Sequence, residues 1–145
     1  MFYNQTYMNI NYLALLIATI AQFAVGATWY SVLFGKLWGQ IHGFDKLPKA
    51  TQQKMMKEMG PYYGVQLLLT IVTSFILALF ISNVPDWSPY AVAALLWLGF
   101  VVPTQVSAVI FGRTDSKWIV KKVAVQAGAS LACLEVAAAI FNILA

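Results

Sequence analysis

The chain has 145 residues, 61% of them hydrophobic and only 10% charged. Soluble domains carry roughly 45–50% apolar and about 25% charged residues. This chain therefore has too few charges to cover a soluble globule, and the same composition excludes disorder and nucleic-acid binding. The excess of nine Lys and Arg over five Asp and Glu sits on an apolar chain, so it reports on threading through a bilayer.

The charges divide the chain into spans. Residues 1–35, 59–85 and 87–112 contain no Asp, Glu, Lys or Arg, and residues 123–145 contain one, Glu135. A hydrocarbon core of about 30 Å needs about 20 helical residues at about 1.5 Å each. The pattern predicts an all-α, polytopic membrane protein, one domain over residues 1–145. Its four transmembrane helices lie near 12–33, 62–83, 89–111 and 119–143. The alternating ten-residue strands of a β-barrel are not present in the sequence.

In chain order, the first span follows eleven residues without Lys or Arg. A cleaved signal peptide needs a basic region there, so the span is expected to stay in the mature protein. The first loop repeats Phe34, Leu37, Trp38 and Ile41 at helical spacing. Further on, Met55, Met56 and Met59 form a second apolar stripe beside Lys49, Lys54 and Lys57, with Pro48 placed to open that helix. Both pieces have the character of short interfacial helices. Gly60-Pro61 marks the start of the second span and Ser88-Pro89 that of the third, by first-turn proline and Ser N-cap. Asp115 or Ser116 can cap the fourth.

Lys and Arg occur only in the first loop (Lys36, Lys46, Lys49, Lys54, Lys57) and the third (Arg113, Lys117, Lys121, Lys122). Positive short loops stay cytoplasmic. The expectation is a multi-pass protein of the cytoplasmic (inner) membrane with both termini outside. Trp38, Trp87, Trp118, Tyr12, Tyr62, Tyr63 and Tyr90 fall near span ends, as an aromatic belt does.

Trp29-Tyr30-Ser31, then Phe34-Gly35 and Trp38, resembles the signature of a prokaryotic membrane family, the domain of unknown function 1761 family. Trp97-Leu98-Gly99-Phe100, Pro103-Thr104 and Phe111-Gly112-Arg113 are similar to its third-helix pattern. The resemblance covers the chain from about residue 11 onward and departs at Val32, where the family usually has proline. It implies a small four-helix membrane protein and brings no activity with it.

Glu135 lies near the middle of the fourth span, where an acidic group costs on the order of 3 kcal/mol and is a functional candidate. It shares a stripe with Ala124, Gly128, Ala132, Ala139 and Asn142, spaced for close helix packing. The first span has a matching ridge, Ala14, Ala18, Gln22 and Gly26, so Gln22 and Glu135 are expected to meet at similar depth. Gln66, Thr70, Thr73 and Ser74 lie along one side of the second span, and the third carries Pro103, Thr104, Gln105 and Ser107; of these, Thr70, Thr73, Pro103 and Thr104 join Gln22 and Glu135 in a mid-membrane polar layer. Pro103 frees a backbone carbonyl beside it. The candidate coupling site is Glu135, Gln22, Thr73, Thr104 and Gln105. The candidate family-motif residues are Trp29, Tyr30, Ser31, Phe34, Gly35, Trp38, Pro103 and Arg113.

Enzyme signatures are not found. His42 is the single histidine and Cys133 the single cysteine, which excludes HExxH, CxxC and an intrachain disulfide. There is no GxSxG. No cofactor and no metal are expected. The function expected is structural or accessory, with the bilayer as first partner and a protein partner or homo-oligomer as further ones. The basic loop at 34–60 is the docking surface. The alternative is a small ion- or proton-coupled transporter working through Glu135.

Overall fold

The computed structural model describes residues 10–144. Residues 1–9, whose lack of Lys and Arg enters the orientation reading, and Ala145 lie outside the described residues. All regular elements among the described residues are helical. They are α1 (Tyr12–Thr28), α2 (Gly35–Ile41), α3 (Lys49–Glu58), α4 (Gly60–Asn83), α5 (Pro89–Leu96), α6 (Val102–Phe111) and α7 (Ile119–Leu144). Four stretches are long and apolar enough to cross a membrane: Tyr12–Leu33, Gly60–Asn83, Pro89–Phe111 and Ser116–Leu144. They match the helices expected from the charge gaps to within about three residues.

The boundary residues act as their chemistry dictates. Ser88 accepts from Tyr90 N–H at 3.2 Å ahead of Pro89. Asp115 accepts from Lys117 N–H at 3.3 Å and starts the 3-10 turn Ser116–Trp118 that leads into α7. Pro48 precedes α3. Asn11 serves two helices at once. Its Oδ1 accepts from Ala14 N–H, capping α1, and its Nδ2 donates to Leu144 O at 2.8 Å. One side chain thereby satisfies an orphan donor of α1 and an orphan carbonyl of α7.

Helix α7 is the hub, packing against α1, α5, α6 and, more lightly, α4. The core is concentrated at the end of the bundle that carries Asn11 and Leu144. It holds Ala14, Ala18, Leu77, Ala78, Val92, Ala93, Leu134, Ala137, Ala138 and Phe141. Most of these are alanines. Lipid tails are as apolar as leucine, so spans associate by close backbone packing and hydrogen bonds rather than by hiding large side chains. Large residues such as Leu16, Leu68 and Phe100 accordingly point outward. At the opposite, basic end the bundle opens. Residues 60–69 of α4 are all exposed.

Candidate functional site

The buried polar groups of the membrane interior form a compact layer between α1 and α4. Ser74, fully buried, accepts from Gln22 Nε2 at 2.7 Å and from Thr19 Oγ1 at 3.0 Å, and its own hydroxyl donates to Thr70 O at 2.9 Å. Thr70 Oγ1 donates to Gln66 O at 2.8 Å. Gln22 lies about 16 Å along α1 from Asn11, and Ser74 about 14 Å along α4 from Asn83, at about 1.5 Å per residue. The layer therefore sits near the bilayer centre. With no water available there, each hydroxyl turns to a neighbouring helix or to the carbonyl one turn back.

A second feature clamps α7. The α-helix widens to a single π-turn at Trp29–Leu33 and again at Trp97–Val101. Each turn begins with a tryptophan, and each indole N–H donates to a carbonyl of α7. Trp29 Nε1 reaches Val125 O at 2.9 Å, and Trp97 Nε1 reaches Ala127 O at 2.8 Å. The two acceptors are about 3 Å apart along the axis, so the first and third spans grip α7 at one level. The Trp29 ring lies against Gly128, where an added Cβ would stand 2.8 Å from Cζ2. Phe34 N–H closes the first π-turn on Trp29 O at 2.9 Å. The end of the first span is thus irregular although Val32, not a proline, stands there. The second π-turn directly precedes Pro103, whose ring a regular α-helix accommodates poorly.

The sequence-predicted residues scatter around these two features. Gln22 is 4% exposed and is engaged with Ser74. Thr73 is exposed and donates back to Leu69 O; Thr104 is exposed and donates back to Phe100 O. Neither faces the interior layer expected of them, because both lie on the outward sides of their spans. Gln105 Nε2 donates to Ser130 Oγ at 2.7 Å, while its Oε1 is buried without a partner among the described residues.

Gln22 and Glu135 do not pair. Cys133 Sγ donates to Gln22 O at 3.4 Å, which turns that side of α7 to α1. Glu135 is two residues on and about 200° around the helix. It is partly exposed, and among the described residues no side chain donates to its carboxyl. The stripe expected to pack inward with it does so only in part: Ala124 and Asn142 are exposed, Ala132 and Ala139 are half-buried, and Gly128 lies under Trp29.

The family-motif residues other than Pro103, which lies mid-span, gather at the basic end. Trp29 packs on Phe34, Tyr30 meets Trp38 edge-on, and Trp38 stacks on His42, at 4.9, 4.9 and 4.3 Å between ring centroids. His42 Nδ1 lies 2.9 Å from Trp38 O. Gly35 leaves room for the Tyr30 carbonyl, 3.1 Å from where a Cβ would be. Ser31 bonds back to Ala27 O. Pro103 is exposed in the first turn of α6. Arg113 adopts a left-handed conformation, φ 58°, in the turn after α6.

Lys122 Nζ sits 6.0 Å over the Trp38 ring, and Lys117 and Lys121 sit 5.7 and 5.3 Å over Trp118. Cation–π contacts thus tie α2 to α7 and order three cations on one face. Among the described residues no group of three or more His, Cys, Asp or Glu side chains converges as a metal site would require.

A helical bundle of this kind, with a polar layer sealed at mid-depth and one basic end, is a small multi-pass membrane protein. The chain matches the family described as Protein of unknown function (DUF1761) over residues 13–142 and belongs to it. No curated protein and no solved structure matches the chain.

Proposed function

We propose that the protein is a non-catalytic, structural or accessory component of the cytoplasmic (inner) membrane, with both termini outside. Its working surface is the basic, tryptophan-bearing face, applied to the anionic lipid of the cytoplasmic leaflet. The observation that carries this reading is the set of three lysines held over Trp38 and Trp118. Tryptophan favours the headgroup level, and a Lys or Arg near an anionic surface contributes about 1 kcal/mol. Nine Lys and Arg share the basic end with only Asp45, Glu58 and Asp115. The exposed Met55, Met56 and Met59 give α3 an apolar side to rest on the same surface.

Ion-coupled transport draws less support. The groups expected to complete a coupling site with Glu135 are Gln22, Thr73, Thr104 and Gln105. Gln22 is committed to Ser74 and Gln105 to Ser130, and the two threonines bond back to their own helices.

The test is lipid retention by the purified protein, measured by mass spectrometry after exchange into mixed phosphatidylglycerol and phosphatidylcholine micelles. The wild type should retain phosphatidylglycerol preferentially. Replacing Lys117, Lys121 and Lys122 by Gln should cut that preference at least tenfold, given about 1 kcal/mol per charge. Equal retention of both lipids by the wild type would overturn the reading.

A further inference from the structure

The position of Glu135 points to a partner that the lipid-facing reading of the basic end does not supply. The sides of α7 are already assigned. Val125 and Cys133 address the first span, Ala127 and Ser130 the third, and Leu134, Ala137, Ala138 and Phe141 the core. At about 100° per residue, Glu135 falls in the remaining arc, about 110° round from the mean direction of the core residues. Leu131, Ala139 and the exposed Asn142 share that arc. Glu135 lies about 14 Å along the helix from Leu144, the depth of the Gln22–Ser74 layer. A lipid tail at that depth neither donates nor accepts a hydrogen bond, and carboxyls within spans face protein or water rather than lipid.

We propose that α7 pairs with α7 of a second copy of this chain through the face bearing Glu135, so that the two carboxyls meet across a two-fold axis along the membrane normal. The complementarity is specific to a second copy. A carboxyl carrying a proton is both donor and acceptor, so two of them sharing one proton form a charge-assisted O–H···O bond. Like charges in such proximity do not both ionise. A copy with the same threading brings its Glu135 to the same depth without adjustment. Asn142, one amide further toward the termini on the same row, is matched by its own equivalent in the same way. An isologous contact of this kind uses one patch twice. The residues a turn away on either side, Ala132 and Ala139, are small enough for the backbones to approach. The Trp29 ring over Gly128 bounds the contact toward the basic end.

The test uses the full chain with Cys133→Ala, in bicelles, with association followed by energy transfer between labelled copies on dilution with lipid. Wild type at position 135 should dimerise. Glu135→Gln should stay within about threefold of it, because an amide also donates and accepts. Glu135→Leu should bind at least tenfold more weakly while retaining its helix content, since leucine suits a lipid-facing position. Ala139→Cys should cross-link between copies and Leu16→Cys, on the outer side of α1, should not. A wild type that remains monomeric through the dilution series would overturn the proposal. So would a Leu variant that dimerises as well as wild type, or one that unfolds, which would mean that position 135 lies inside the bundle.

Discussion

Gly128→Ala is the sharpest perturbation of the tryptophan clamp. The new methyl group would stand 2.8 Å from Trp29 Cζ2 and 3.3 Å from Cη2. Restoring ordinary contact at about 3.5–4.0 Å requires the indole to retreat by roughly an ångström. The ring is tethered by its 2.9 Å bond to Val125 O, and a retreat of that size carries the bond out of hydrogen-bonding range. Losing an interhelical bond in a membrane costs about 0.6–1.7 kcal/mol, and overpacking adds about 1–3 kcal/mol. The expected destabilisation is therefore about 2–4 kcal/mol, measured by reversible unfolding in mixed micelles. Trp29→Phe removes both the bond and the clashing atoms, so Gly128→Ala should cost much less in that background. A Gly128→Ala protein within about 0.5 kcal/mol of wild type, the range of ordinary surface changes, would refute the clamp. Strict additivity of the two substitutions would do the same.

Ser74→Ala should destabilise by about 1–2 kcal/mol, because it strips the acceptor from Gln22 in a dry interface, while Thr19 keeps Leu15 O. The neighbouring Thr73→Ala should stay within about 0.5 kcal/mol under the same unfolding assay, since Thr73 bonds only to its own helix. Asn11→Ala should cost about 1 kcal/mol as a lost N-cap. Hydrogen exchange should then quicken both at Ala14 and in the last turn of α7, the two places to which that side chain bonds. Arg113→Gly should leave stability unchanged or raise it by about 1 kcal/mol, because glycine adopts the left-handed conformation without the Cβ penalty. A loss of stability there would mean that the arginine side chain, not the backbone, fixes the turn.

The spans were legible because charges are excluded from a hydrocarbon core, and each gap maps onto one helix. The loop helices α2 and α3 were legible for a related reason. Their apolar residues recur at 3–4-residue spacing beside lysines, and Pro48 stands where α3 begins. What the sequence did not convey was rotation. A span surrounded by lipid has no polar side to orient it, so Thr73 and Thr104 could not be told from Thr70 and Ser74 by composition. Glu135 and Gln22 share a depth, but a turn of about 200° separates their sides of α7 and α1. The clamp was not legible because Trp29 and Trp97 each read only as part of a motif, with nothing to say which helix its indole meets. A signal did exist. An indole N–H far from the headgroups must find an acceptor, and Pro103 just beyond Trp97 calls for a widened turn. The direction of each ring depends on the π-turns, and the one at Trp29–Leu33 has no proline to mark it.

The account rests on the basic, tryptophan-bearing face meeting the cytoplasmic leaflet, and cysteine labelling tests this most directly. In a Cys133→Ala background, single cysteines would replace Lys54 in α3 and Asp86 in the loop between α4 and α5. Intact cells would then be treated with a membrane-impermeant maleimide. The cysteine at position 86 should label at once, and the one at position 54 only after the membrane is permeabilised. Labelling of position 54 from outside intact cells, with position 86 protected, would contradict the orientation and with it the proposed lipid-binding surface.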